Sequence, residues 1–317
     1  MLDSALLRNG LAPTFRQPIR ASSGSTRRGV GVVPCALVYV ETDSAGSPNC
    51  TNADPFCYVE QAITLNRSLG AVGLPGLTVA TNVADQVEQY LTKVEPDARP
   101  HVFQLGPSTL TLPKITRFYS AHFKLDMMEQ LGAMLQEGEL LMVLDTDMLA
   151  LHALNEEVLR RCQSIGVGAF DISDQEFSAY GDACVIADLE TVAGTRLQNP
   201  RWFGGEVLVA SAAFINELVP RAQACFEQYR RAIHELNHNG DEAFISAALN
   251  CWRMTVIRSS ISAHTGSSDV TGQAILIATF AGSKGVHCCI CPAASGCSNA
   301  RPVVARSVRR MSGAIWS

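Results

Sequence analysis

Apolar residues fall along the chain in short runs separated by amphipathic stretches, a pattern that predicts strands and helices in alternation. The β-rich run at 35–41 (CALVYVE) predicts a first strand, and the Gly, Ser, Pro and Asn residues of 44–52 a loop after it. A helix is expected over about 58–69, ended by Gly70, Gly73 and Gly76. A short strand at 77–80 and a helix at 83–91, capped by Asn82, come next. A third strand is expected at 101–105. Over 119–135, Phe123, Met127, Leu131, Met134 and Leu135 recur at helical spacing. The run 140–144 (LLMVL) is apolar at every position, as a central parallel strand covered on both faces should be.

The second half predicts a helix at 156–164, a strand at 183–189, and a Gly204-Gly205 turn leading into the apolar run 207–210. Helices follow over 213–236, kinked or divided by Pro220, and over 241–252. From 259 onward Ser, Gly, Thr and Ala dominate. The expectation is an α/β fold with a mostly parallel central sheet and flanking helices. It divides into a flexible tail (1–33), one two-lobed domain (34–258) and a C-terminal flap or tail (259–317).

Composition narrows the function. With 47% hydrophobic residues, the 317-residue chain can bury a sizeable core, which excludes a fully disordered protein. Its 25 Lys and Arg against 30 Asp and Glu argue against a nucleic-acid binder, which needs positive charge for phosphates. No apolar run approaches the roughly 20 residues that cross a bilayer, so no transmembrane anchor is expected. The N-terminal stretch holds Arg8, Arg16, Arg20, Arg27 and Arg28 against one acid, Asp3, and reads as a tail rather than a transit peptide. Without a visible secretion signal, the eleven cysteines read as mostly reduced thiols and the location as cytoplasmic. The cluster Cys288-Cys289-Ile290-Cys291 with Cys297 and His287 lacks the paired spacing of a structural zinc site.

The informative constellation is LLMVLDTD at 140–147. Two carboxylates at the end of a buried strand repel and are costly to desolvate, and a divalent cation would resolve both problems. On extended backbone, residues i and i+2 point the same way, so Asp145 and Asp147 are expected to converge on a shared ion; the alternative is a solvated turn. The crevice beyond the carboxyl ends of parallel strands is also where such sheets bind ligands. The spacing of Gly70, Gly73 and Gly76 does not match a dinucleotide loop, and no phosphate-binding G-x-x-x-x-G-K-Ser/Thr occurs.

With RWFGGEVLVAS at 201–211 and NGDEAFISAAL at 239–249, the chain resembles GT-A fold glycosyltransferases, in outline the retaining glycogenin-like and blood-group-transferase-like families. The resemblance covers about 35–255 and rests on the order of short motifs. It implies a metal-dependent transferase that moves a sugar from a nucleotide-sugar, UDP-sugar first, to a glycan, protein or small-molecule acceptor. Asp147 would ligate Mn²⁺ or Mg²⁺ directly, and Asp145 would reach the ion through water or contact the ribose. Val40, Thr42 and Asp43 would hold the nucleoside, Arg117 or Lys124 the diphosphate, and Gly204 and Gly205 would lie beside the sugar. Glu242 by one family pattern, or Asp241 by the other, would face the anomeric carbon. His264 and His287 are the candidates for a third metal ligand, though neither sits in the family's surrounding motif.

Each assignment has a plainer reading: a turn-forming Asp43, solvated Arg117 and Lys124, a tight Gly-Gly turn beside a core Trp202, a helix cap at Asp241. The competing functions are a catalytically inactive binder of glycan or partner, a sugar nucleotidyltransferase, and a haloacid-dehalogenase-like phosphatase, whose first motif also places D-x-D after an apolar strand.

Overall fold

The structure is a computed structural model that describes residues 30–40, 56–114, 116–263 and 278–279. In chain order its elements are β1 (Gly31–Val38), α1 (Cys57–Ala71), β2 (Thr78–Thr81), α2 (Ala84–Leu91), β3 (His101–Gln104), α3 (Lys124–Gly132), β4 (Glu139–Leu144) and α4 (Glu156–Ile165). β5 (Val167–Asp171), α5 (Ser173–Tyr180), α6 (Asp182–Ala193), β6 (Phe203–Ser211), α7 (Ala212–Ala232), α8 (Asp241–Ala263) and β7 (Ala278–Thr279) complete them. One sheet runs β3-β2-β1-β4-β6-β5-β7. β6 is antiparallel to both β4 and β5, and the other neighbours are parallel.

Alternation along the central strands divides the core into two layers. Leu140, Met142 and Leu144 of β4 pack with Val59, Leu65 and Val87 of α1 and α2 on one face. Leu141 and Val143 pack on the other with residues of α3, α6, α7 and α8. Burial on both faces is why β4 carries no polar residue between Leu140 and Leu144. β1 begins before Cys35 and includes Pro34, which pairs with Met142 of β4 one residue before β2 joins the other side. A residue without an N–H is tolerated there because the strand has a neighbour on only one side.

Three expectations change. The segment expected as a strand at 183–189 lies in helix α6, because Val185, Leu189 and Val192 recur at helical spacing and are buried together. Gly204 and Gly205 do not form a turn but belong to β6. Ala84 N–H at the start of α2 donates to Gln104 Oε1 at 3.0 Å, and the helix is not capped by Asn82. Instead its Nδ2 donates to Val40 O at 2.7 Å and its Oδ1 accepts from Val40 N–H at 2.8 Å. Val38 pairs with Thr81, so Asn82 stands beside the end of β1 and pins it. Pro220 lies inside α7 without dividing it. No disulfide joins the described cysteines, and among the described residues no helix is long and apolar enough to cross a membrane. Of the expected N-terminal tail, residues 30–33 are described and 31–33 belong to β1, and 259–263 and 278–279 of the expected C-terminal segment belong to α8 and β7; the rest of both segments and the 288–297 cysteine cluster lie outside the described residues.

Candidate functional site

The antiparallel entry of β6 builds the site. Leu144, the last residue of β4, pairs with Val207, and Asp145 N–H donates to Glu206 O at 3.2 Å. The start of β6, with Gly204, Gly205 and Glu206, is thereby brought to the carboxyl end of β4. Helix α3 delivers Lys124 at its first residue, and α8 delivers Asp241 and Glu242 at its own.

Lys124 is the hub. Its Nζ lies 2.7 Å from Asp145 Oδ1 and 3.1 Å from Asp241 Oδ2, and it donates to Gly205 O at 3.1 Å. A cation at a helix N-terminus opposes the helix dipole, and this side chain is only 8% exposed. Burial works against its charge, but Asp145, Asp241 and Glu242 outweigh burial and hold the ammonium well above the usual lysine range.

Carboxylates outnumber the ammonium. Burial pushes Asp145 up, Lys124 pulls it back down, and Asp241 adds to the rise. Glu206 is pushed up by burial. Glu242 is pushed up to about 8, first by burial and then by the charge of Asp241. Gathering several acids around one buried cation makes it costly to ionise all of them.

Both glutamates occupy space left by glycines. A methyl group on Gly204 would overlap the Glu206 carboxylate, and one on Gly240 would overlap that of Glu242. A methyl on Gly205 would stand 3.0 Å from Lys124 Nζ and 3.2 Å from Glu242 Cγ. The two G-x-E units at 204–206 and 240–242 thus fold each carboxylate back over the glycine two residues before it. Behind the ammonium, Met128, Val143, Leu208 and Ile245 line a small, largely apolar cavity that Lys124 and Asp241 close at its polar end.

A second polar chain sets the approach to α8. His122 Nδ1 lies 2.9 Å from Phe118 O, its Nε2 lies 2.9 Å from Tyr229 Oη, and Tyr229 Oη donates to Asn239 O at 2.8 Å. Burial lowers the His122 pKa, against the charge of Asp241, which raises it. This ties the segment ahead of Lys124 to the loop ahead of Asp241.

Of the residues singled out in the sequence, the structure gathers Lys124, Asp145, Gly204, Gly205, Asp241 and Glu242. Arg117 stands at the surface with its guanidinium 5.8 Å from the Phe118 ring centroid. Val40 has both main-chain polar groups engaged by Asn82. Thr42, Asp43, His264 and His287 lie outside the described residues. Glu206, His122 and Tyr229 were not anticipated as site residues. For Glu206 the signal was available, since G-x-E occurs at both 204–206 and 240–242.

The extended backbone expected to carry Asp145 and Asp147 is not found, although the charge of Asp147 still raises Asp145. Extended backbone ends at Leu144, and Met148 N–H donates to Asp145 O at 3.3 Å, closing a turn through Thr146 and Asp147. Thr146 points inward and donates to Gln61 Oε1 at 2.9 Å, while Asp147 is exposed. Among the described residues no group of three acids, histidines or cysteines is placed to hold a metal ion, and Lys124 already takes one Asp145 oxygen. These residues do not by themselves fit a divalent cation.

Neither a protein-family model nor a curated protein matches the sequence. Among solved structures, that of the galactosyltransferase LgtC in complex with donor and acceptor sugar analogues is similar at a TM-score of 0.43 and 10% sequence identity. The match covers 68% of this chain and 69% of that one. So distant a likeness leaves function to be read from the site.

Proposed function

We propose that the chain is a glycosyltransferase that takes its sugar from a nucleotide-sugar, UDP-sugar first, and delivers it to an acceptor hydroxyl. The observation that carries the reading is the charge balance at the end of β4, where Asp145, Glu206, Asp241 and Glu242 gather around the ammonium of Lys124. Breaking a glycosidic bond to a nucleotide leaves an oxocarbenium-like sugar, and stored negative charge held in fixed positions stabilises it as it forms.

The residues divide the work. Asp241 is 2% exposed and committed to Lys124, so it positions. Glu242 is less buried than Asp241, keeps its carboxylate over Gly240 and is pushed up to about 8, so it is the group that acts. In a retaining reaction its ionised form faces the anomeric carbon; in an inverting one it accepts the acceptor's proton. We favour retention. Gly205 leaves room for Lys124 and Glu242 to approach the strand, and Lys124 meets developing charge on the leaving group. Mn²⁺ or Mg²⁺ belongs to the proposal only through Asp147, with His264 or His287 as its completing ligand, and no step is assigned to it.

The test is release of free nucleotide from a panel of UDP- and GDP-sugars by the full chain, in Mn²⁺ and in chelator, with simple sugars as acceptors. Release above the uncatalysed rate from one donor supports the proposal. Failure of every donor to bind or turn over contradicts it.

A further inference from the structure

α7 and α8 pack antiparallel, with Phe226 and Tyr229 against Phe244 and with Trp252 Nε1 donating to Glu217 Oε2 at 3.0 Å. Within this interface two thiols meet. Cys225 of α7, 5% exposed, is hydrogen-bonded through its side chain to Cys251 of α8, which is partly open to solvent. Two cysteines on separate helices in direct side-chain contact differ from the isolated buried thiols Cys35 and Cys162, which pack as small hydrophobes.

We infer that Cys225 and Cys251 form a reactive dithiol site in which Cys251 is attacked by peroxides or by small disulfides and Cys225 resolves the product into an α7–α8 disulfide. The proposal is independent of the transferase reading.

Three features make the roles unequal. Exposure gives an oxidant access to Cys251 and denies it to Cys225. The Cys225 S–H donates to the Cys251 sulfur, which favours the thiolate on Cys251; this bond lowers Cys251 to about 7, while Cys225 is raised by the same bond and by burial. Arg221, one turn before Cys225 on α7, adds positive charge that favours the thiolate at both sulfurs. A thiolate near neutral pH beside a second thiol is the arrangement that dithiol chemistry requires.

With hydrogen peroxide as oxidant the steps balance. The Cys251 thiolate attacks one peroxide oxygen and the O–O bond breaks. The departing hydroxide takes a proton to become water, and sulfur is oxidised to the sulfenic acid. The Cys225 sulfur then attacks the Cys251 sulfur, the S–O bond breaks, and the sulfenic oxygen leaves as a second water carrying the Cys225 proton. Two thiols and one peroxide give one disulfide and two waters. With oxidised glutathione, Cys251 forms the mixed disulfide and Cys225 displaces reduced glutathione.

The sequence permits an unambiguous readout. Trypsin cuts after Arg221, Arg230, Arg231 and Arg253, so the peptides 222–230 and 232–253 carry one cysteine each, Cys225 and Cys251. The full chain, reduced and then treated with stoichiometric hydrogen peroxide or excess oxidised glutathione, is alkylated, digested and weighed. The expected product is the 222–230/232–253 pair joined with loss of two hydrogens, lost again on reduction. Cys225→Ala should leave Cys251 as a sulfenic acid captured by dimedone, or as a stable glutathione adduct. Cys251→Ala should leave Cys225 unmodified at the same dose. Brief iodoacetamide treatment of the untreated chain should label Cys251 at least tenfold faster than Cys225, a measurement that does not depend on any variant folding. Equal labelling, over-oxidation of Cys251 without the joined peptide, or preferential pairing of either cysteine elsewhere overturns the proposal.

Discussion

The ammonium of Lys124 stands 3.1 Å from Asp241 Oδ2, so the first residue of α3 and the first residue of α8 are held together by one buried ion pair. Neither charge is stable at its helix end without the other. Lys124 opposes the dipole of α3, and Asp241, which the dipole of α8 favours, is too buried to stand without a counter-charge. Each resolves the other's cost, and Asp145 shares in the arrangement from the end of β4.

Removing the hub should therefore be expensive. Lys124→Met leaves Asp145 and Asp241 without their cation, and losing one partner of a buried pair costs about 3–5 kcal/mol. The lower end applies, about 3 kcal/mol, because the Asp145 side chain is 32% exposed and regains water. Urea denaturation at pH 7 checks this, and a loss below about 1 kcal/mol contradicts the central place given to Lys124.

Glu242 makes stability depend on pH in a defined direction. Its pKa in the folded protein, about 8, is above its ordinary value of 4.5, so the folded state binds the proton more tightly. That contribution is complete below about pH 4.5 and is lost as pH rises through 8, at a slope of at most about 1.4 kcal/mol per pH unit for one proton. Asp145 and Glu206 are raised as well and act in the same direction. Denaturation curves between pH 5.5 and 8.5 should show stability falling with pH, and Glu242→Gln should flatten the upper part of that fall. Stability that rises across the window contradicts the assignment.

Gly240→Ala separates packing from position. The added methyl meets the end of a flexible side chain rather than backbone, so Glu242 rotates away and the fold loses no more than about 1 kcal/mol. Displacing the acting carboxylate by about an ångström should lower turnover by roughly a hundredfold. Thermal denaturation and steady-state turnover on the same sample check both halves.

Tyr229→Phe tests the link to the loop before α8. It removes the donor to Asn239 O and the partner of His122 Nε2, at a cost of about 1–2 kcal/mol. A neutral result in urea denaturation contradicts a structural role for that chain of bonds.

The sheet was legible where burial left a one-sided signature. LLMVL announces β4 because a strand covered on both faces admits no polar residue, and the long apolar stripe of α7 announces that helix. The misread segments are those where a short apolar run satisfies two periods. In 183–189, Val185, Ile186 and Leu189 suit either a strand or a helix, and only packing of α6 against α7 and α8 decides. Gly204-Gly205 suggested a turn because local chemistry usually puts paired glycines there. Their actual use, making room for Glu206, Lys124 and Glu242, depends on neighbours far away in sequence.

The site shows the same division. Asp145, Asp241, Glu242 and Lys124 could each be named from local motifs or resemblance, but their pairing could not. The expected i, i+2 alignment of Asp145 and Asp147 failed because Thr146 finds Gln61 and turns the chain as soon as β4 ends. That bond crosses from the β4 end to α1, and no local pattern at 145–147 encodes it.

The most direct test of the transferase reading is Glu242→Gln measured against wild type with the donor found to turn over. Donor affinity and the rate of nucleotide release are determined on the same preparations. The proposal predicts donor affinity within about threefold of wild type and turnover lower by a hundredfold or more. Undiminished turnover in Glu242→Gln would contradict it, because the surplus charge at the end of β4 would then have no part in the chemistry.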